Sequence, residues 1–404
     1  MFSARDAPLF INAILLLSLV FLVGQTKEGA MQKKLVPEYI EQLEVYQAGK
    51  PIEELAREKG LTRISKLASN ENPLGPSPFA IREMTNALWD VHRYPDMFAH
   101  QLKNSLCDLY QLKPQNIILG NGSEGIMGYI VRAFLQPNEE VVTSENTFIG
   151  FLILAKSVGA KLIQVPRRSD YKYDVEAMAK KITDNTKIVY IANPDNPTGT
   201  YITKEEFDFL MKHVPSHTIV ILDEAYFEFA QGQWDYPDSM NYRYDNVITL
   251  RTFSKAYGIS GVRCGYGFGH EYLISNLHKV KLPFEPSLIA QKGAYGALKD
   301  YPHLVRTLEN NKERYNELFK YLTENGFTPI PSVTNFVTIK TGSEEKSLFL
   351  YNELLNHGVI IRPLRANLMP DHIRISMGTK EEMMHFYEAM EDVLPRYKKQ
   401  FGGV

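Results

Sequence analysis

Lys255 stands in the run Arg251-Thr252-Phe253-Ser254-Lys255-Ala256-Tyr257-Gly258, with Arg263 a short way downstream. Asp223-Glu224-Ala225-Tyr226 and Asn193-Pro194-Asp195-Asn196-Pro197-Thr198-Gly199 precede it. A lysine works as a nucleophile only when burial or neighbouring positive charge depresses its pKa. Thr252, Ser254 and Arg263 offer two hydroxyls and a guanidinium fork, a set suited to phosphate. Asp223 follows Ile219-Val220-Ile221-Leu222, so a strand end would carry its carboxylate inward, where it needs a cationic partner. Tyr226 and Asn196 add a phenol and an amide that can donate to a ring oxygen. An amine for an aldehyde, an acid for a protonated ring nitrogen and a basic, hydroxyl-rich loop for phosphate are what a pyridoxal 5'-phosphate site requires.

Each residue also has a plainer reading. Ser254-Lys255 alone suits a solvated loop, since most lysines face water. Asp223 alone suits a helix N-cap, Tyr226 a core aromatic, and Asn196-Pro197 a simple turn. Arg263 downstream and the acid upstream favour the cofactor reading. Gly120-Asn121-Gly122-Ser123-Glu124-Gly125 reads as a strand-to-helix turn whose first amides suit an anion. Phe148 can stack on a planar ring or simply fill core. Arg374, in Ile373-Arg374-Ile375-Ser376, is flanked by apolar residues. Buried, it demands an anion such as a substrate carboxylate; on an edge strand it would face water. Arg362 is a second candidate anion binder.

The elements that must position these groups follow from patterning. Short apolar runs at Ile117–Leu119, Lys187–Ala192, Thr218–Leu222 and Val247–Leu250 alternate with amphipathic stretches. Strands buried on both faces and interleaved with helices imply an α/β layer with a largely parallel sheet. All the motifs fall just beyond strand ends, where such sheets bind ligands. Pro302 to Asn325 reads as a long helix. Asn335–Ile339, Val359–Arg362 and Ile373–Met377 read as strands of a smaller α/β unit. Asn70 to Pro78 is proline-rich and cannot be regular structure. The expected division is a leader at 1–30, an arm and part of the small domain at 31–75, a large domain at 76–303 and the small C-terminal domain at 304–404.

With 404 residues, 44% hydrophobic and 23% charged, the chain is an ordinary globular one. A net charge of −2 argues against general nucleic-acid binding. Two cysteines without Cys/His metal spacing suggest a reducing compartment and no metal. The apolar run Ile14 to Val23 is short for a membrane span. It reads either as a secretory signal, which would export the protein, or as an extension upstream of a working start at Met31. A cytoplasmic location follows from the second reading, and membrane attachment only if the leader is retained.

The chain resembles fold-type I pyridoxal phosphate aminotransferases and, within them, the histidinol-phosphate aminotransferase family. The resemblance runs from about Leu35 to Leu394. It is carried by Gly49-Lys50-Pro51-Ile52-Glu53-Glu54, Leu67-Ala68-Ser69-Asn70-Glu71-Asn72-Pro73-Leu74-Gly75, Arg93-Tyr94-Pro95-Asp96, Asp223-Glu224-Ala225-Tyr226, Thr252-Phe253-Ser254-Lys255-Ala256-Tyr257 and Gly358-Val359-Ile360-Ile361-Arg362-Pro363-Leu364. It implies a large domain with a mostly parallel mixed sheet in an αβα sandwich plus a smaller α/β domain. It makes Lys255 the imine-forming lysine, Asp223 the pyridinium partner, and Asn196 and Tyr226 the ring-oxygen donors. Ser123 and Glu124 would offer backbone amides, and Thr252, Ser254 and Arg263 would hold the cofactor phosphate. Tyr94 would reach that phosphate in the neighbouring subunit of a homodimer. Arg374 would take the substrate α-carboxylate, with Tyr46, Asn72 and Arg362 also on the substrate.

The expected reaction is amino transfer between histidinol phosphate and 2-oxoglutarate. The alternatives are an aromatic amino-acid aminotransferase, a phosphothreonine-type decarboxylase, or a cofactor-binding protein without catalysis. One departure stands out: Pro283-Phe284-Glu285-Pro286-Ser287 replaces the asparagine-rich stretch of many relatives. Glu285 there would repel a substrate phosphate or help an imidazole.

Overall fold

The computed structural model describes residues 35–45 and 49–403. The leader and Tyr46 lie outside the described residues. The chain divides into residues 1–42 and 43–404, and the described part of the first holds the short helix Glu38–Glu41.

Within residues 43–404 the strands in chain order are β1 (Ser65–Lys66), β2 (Ile117–Gly120), β3 (Glu140–Ser144), β4 (Lys161–Val165), β5 (Thr186–Ala192), β6 (Ile219–Asp223) and β7 (Val247–Thr252). They continue with β8 (Gly265–Gly269), β9 (Thr328–Ile330), β10 (Phe336–Lys340), β11 (Val359–Ile360), β12 (Arg362–Leu364) and β13 (Met369–Ser376). A seven-stranded sheet runs β2-β8-β7-β6-β5-β3-β4. Its neighbours from β7 to β4 are parallel, and β8 alone runs antiparallel to both β7 and β2. Every residue of β6 and of β7 is buried, as expected of central strands covered on both faces. One apolar cluster, with Ile126, Ile130, Ile221 and Ile274, fills one face, and a second, with Val142, Phe207, Leu210 and Leu222, packs on the other.

The expected largely parallel α/β sheet is therefore present, with strand ends shifted by one to four residues. Val247–Leu250 extends to Thr252, and Ile373–Met377 lengthens backwards to Met369. Val359–Arg362 is two strands: β11 pairs with β1 in parallel, and β12 joins another sheet. That second sheet is four-stranded, in the order β12-β13-β10-β9. It has its own core of Leu318, Leu322, Val337, Ile375, Phe386 and Val393. The long helix spans Tyr301–Glu324, with Asp300 capping His303 N, so proline sits where its missing donor costs nothing.

Register brings the motifs together. Ala192 pairs with Asp223, and Asp223 with Leu250. The chain leaving β5 toward Asn196, the end of β6 and the chain leaving β7 toward Lys255 thus emerge side by side. At the antiparallel edge Thr252 pairs with Gly265, and Gly265 with Gly120. This sets the hydroxyls after β7 beside the helix Gly122–Phe134, which starts after β2.

Candidate active site

The phosphate-type cradle forms at that edge. Ser254 N donates to Thr252 Oγ1 at 3.1 Å, and Arg263 Nη1 donates to Ser254 Oγ at 3.2 Å. Arg263 takes a left-handed backbone, with φ 58°, which turns its guanidinium against Gly122. Ser123 and Glu124 occupy the first turn of the helix, where amides lack intrahelical partners and the dipole favours anions. Glu124 is exposed, and its Oε1 would lie 2.8 Å from a Cβ at Gly150, beside the Phe148 ring.

Close approach here depends on Gly265. A Cβ at that position would lie 2.4 Å from both Gly122 C and Ser123 N, backbone atoms that cannot step aside cheaply. Gly265→Ala is expected to cost about 1–3 kcal/mol of stability and to loosen cofactor retention. Thermal unfolding and the cofactor absorbance that survives gel filtration would measure the two effects. An alanine variant that unfolds and retains cofactor like the parent protein would contradict this account.

Asp223 closes β6 and is 4% exposed. Tyr190 Oη donates to its Oδ2 at 2.8 Å, while Oδ1 is buried without a hydrogen-bond partner. Burial pushes this carboxyl up to about 7. The N-cap alternative fails, because the following helix, Phe227–Ala230, has Tyr226 at its N-cap. Tyr226 is buried, receives a hydrogen bond from Asn70 Nδ2 at 2.8 Å, and has its phenol pushed up to about 12 by burial.

The Lys255 amine donates to Ser69 O at 3.2 Å and lies 5.7 Å over the Tyr226 ring. Burial first, then the charges of Arg374 and Arg263, bring its pKa down to about 8, with Glu71 and Asp223 opposing. A solvated loop lysine would feel none of this. Asp223, Tyr226, Lys255 and Arg374 thus act on one another within one electrostatic neighbourhood.

Arg374 is 8% exposed on β13, an interior strand, so it is not an edge arginine facing water. It donates from Nη2 to Ala68 O at 2.9 Å and from Nη1 to Asn196 Oδ1, tying β13 to the loop after β5. Arg362 lies directly across from it in register. Like charges opposed on neighbouring strands repel.

Other candidates land differently. Phe148 precedes the helix Ile149–Ser157, and its ring would lie 2.7 Å from a Cβ at Gly150; it also packs on the sheet core. Tyr94 is 80% exposed and stacks on Phe284 at 4.3 Å, on the surface of its own chain. Asn72 is bonded within the protein. Its amide donates to Ala256 O at 2.9 Å and Thr307 Oγ1 at 3.0 Å, and its oxygen accepts from Leu74 N at 3.0 Å. These bonds brace the Lys255 loop. Glu285 likewise turns to the protein: it accepts from Asn121 Nδ2 at 2.7 Å and from Tyr129 Oη.

Sequence reasoning missed Asn70, Tyr190 and Asp195. Asp195 accepts from Thr147, Tyr173, Thr198 and Arg167, holding the loop that presents Asn196. Asn70 lies in the quoted Ser69-Asn70-Glu71-Asn72 run, so a signal existed. Tyr190 lies inside an apolar strand and carried none.

Comparison with known proteins agrees with this geometry. The family model "Aminotransferase class I and II" matches residues 62–390. The chain belongs to that family. Histidinol-phosphate aminotransferase 1 of Idiomarina loihiensis is 40% identical over 360 residues, 89% of this chain and 97% of that protein. Histidinol-phosphate aminotransferase 2 of Hydrogenovibrio crunogenus is 42% identical over 359 residues, 88% of this chain and 95% of that protein. The crystal structure of histidinol-phosphate aminotransferase from Sinorhizobium meliloti in complex with pyridoxal-5'-phosphate aligns with a TM-score of 0.83 at 29% identity. That alignment covers 91% of this chain and 99% of the other. As a member of the family, this protein is an aminotransferase of the α/β fold described above.

Proposed function

We propose that the protein transfers an amino group between L-histidinol phosphate and 2-oxoglutarate, using pyridoxal 5'-phosphate, as a step of histidine biosynthesis. The observation that carries the site assignment is the unpartnered, buried Asp223 Oδ1 at the end of β6, whose charge acts on the Lys255 amine. The substrate assignment is supported by the kinship with histidinol-phosphate aminotransferases over nearly all of their length.

The residues fit the cofactor. Asp223 suits the protonated ring nitrogen, Asn196 Nδ2 and Tyr226 Oη suit the ring oxygen, and Phe148 suits a ring face. Thr252, Ser254, Arg263 and the amides of Ser123 and Glu124 suit the phosphate. When bound, the cofactor supplies an aldehyde to receive the amine and an electron-poor ring to spread the charge formed at the substrate Cα. Lys255 Nζ would take the proton from the substrate Cα and later return one on the product side. Asp223 keeps the ring nitrogen protonated. Arg374 holds the substrate carboxylate and so fixes which Cα substituent faces Lys255. Arg362, with Tyr46 outside the described residues, would serve the far end of the substrate.

We further propose a cytoplasmic homodimer with large and small domains at 76–303 and 304–404. Trp89, Val91, Tyr94, Leu282 and Phe284 expose large apolar side chains close in sequence or contact, the kind of patch that a partner covers. Tyr94 on that patch can then reach the neighbour's cradle. Among the described residues no helix is long and apolar enough to cross a membrane.

The test is a substrate panel with 2-oxoglutarate as acceptor. Histidinol phosphate is expected to be used far better than phenylalanine or tyrosine. Aromatic transamination without turnover of histidinol phosphate would shift the assignment to the aromatic enzymes. Carbon dioxide release from O-phosphothreonine without amino transfer would shift it to the decarboxylases. Arg374→Ala is expected to raise KM for 2-oxoglutarate about a hundredfold by removing a charged fork. Arg374→Lys should recover little, since an ammonium cannot bind two oxygens in parallel. Unchanged KM in both variants would remove Arg374 from the substrate site.

A further inference from the structure

A cleft of about 880 Å³ opens between the two sheets, away from the Lys255 residues. Tyr171, Lys172 and Tyr201 line one wall, from the seven-stranded side. Tyr315, Pro329, Lys340 and Lys346 line the other, from the four-stranded side. Its only acid, Asp170, is held by Arg168 Nη2 at 3.0 Å. Lys340 Nζ is 3.8 Å from Asp371 Oδ2. Lys172 and Lys346, both half-buried, have no acidic partner among the described residues. Their ammonium groups lie over rings instead, Lys172 at 5.6 Å from Tyr201, which lines the cleft, and Lys346 at 5.8 Å from Tyr397 and Phe401, which stand behind its wall. Such a lining joins excess positive charge to aromatic and proline surface, the complement of an anion with a flat apolar body.

The floor of the cleft connects to the active site. Thr200, Ser332 and Val333 line it, and they hold the loop that presents Asn196. Val333 N donates to Gly199 O at 3.0 Å, and Thr200 Oγ1 donates to Tyr171 O at 3.1 Å. Gly199 has φ +79°, and a Cβ there would lie 2.1 Å from Ser332 Oγ, so the loop and the small-sheet side touch without slack. Thr338 Oγ1, on β10, donates to Pro197 O. On the far side of the same loop, Asn196 Oδ1 accepts from Arg374. The cleft lining and the Arg374–Asn196 contact thus share one loop, so a ligand pressing on the lining would act on that contact through the Gly199–Val333 and Pro197–Thr338 bonds.

We infer that this cleft is a regulatory site for a small anion carrying an aromatic ring, and that its occupancy changes the use of the 2-oxo acid substrate. The phosphate of a nucleotide and the carboxylate of an aromatic acid share this chemistry. Titration calorimetry on the holoenzyme with AMP and, separately, with indole-3-acetate distinguishes them, because neither offers an amino or oxo group for transfer at a Cα.

Saturable binding of at least one probe is expected, with a change in 2-oxoglutarate kinetics that excess 2-oxoglutarate does not abolish. Lys172→Glu/Lys346→Glu should weaken that binding roughly tenfold or more and leave turnover without the probe unchanged. The milder Lys172→Gln/Lys346→Gln should weaken it less, which separates charge loss from misfolding. AMP alone binding would name the nucleotide source, and indole-3-acetate alone the carboxylate source. No binding of either probe, binding indifferent to charge reversal, or simple competition with 2-oxoglutarate would overturn the inference. Calorimetry needs no turnover, so a null result here bears on the cleft alone, while a failed substrate panel bears on the reaction alone.

Discussion

Lys255→Ala is expected to lower transamination by about four orders of magnitude or more, because one amine both holds the cofactor and moves the proton at the substrate Cα. Burial and the charges of Arg374 and Arg263 set its pKa at about 8, so a usable fraction is neutral near pH 7.5 and more above it. The sign for stability follows. The folded-state value lies below that of an exposed lysine, so at low pH both states carry the proton and the buried charge counts against the fold. As pH rises from about 8 toward the ordinary lysine range, the unfolded chain binds more protons and stability increases. Trapping the cofactor-free protein with an aldehyde and borohydride, read by the mass of the peptide carrying residue 255, should show modification at Lys255 climbing through about pH 8 and none at that position in Lys255→Ala. Parent-like turnover in that variant would remove the amine from the mechanism.

Asp223→Ala is expected to cost roughly three orders of magnitude in turnover, the scale of losing a preorganised charge partner at a low-dielectric site. Its stability effect runs the other way. Without a cation beside it, burial raises the Asp223 carboxyl to about 7. Between the usual carboxylate range and that value the unfolded chain has released its proton and the folded chain has not, so stability falls as pH rises. The cofactor-free Asp223→Asn variant should therefore unfold at higher denaturant than the parent at pH 8, while being nearly inactive. A variant both active and less stable would show that Asp223 serves the fold and not the ring nitrogen.

These two effects separate what a site residue does for chemistry from what it does for the fold. The cost of Asp223 is tolerated because the strand interior that buries it also strengthens its interaction with a cation. Tyr190 satisfies one oxygen and leaves the other available. Asn72 shows the reverse case: its polar atoms bond inside the protein, and removing it would misplace the Lys255 loop.

Residue order alone determined that Asp223, the Asn196 loop and Lys255 follow apolar strands, and that such strands lie in a parallel sheet. A run of buried β residues ending in a polar group has few other placements, because backbone groups in the interior must be paired and parallel strands bring like ends together. The placement of the lysine loop and of the acid at strand ends was legible for that reason. Only the tertiary structure decided the partners: Tyr190 for Asp223, Asn70 for Tyr226, Ser69 for Lys255 and the protein's own Asn121 and Tyr129 for Glu285. These contacts join residues from tens to nearly two hundred positions apart. They depend on which strands become neighbours and in what register, and no local pattern encodes that choice.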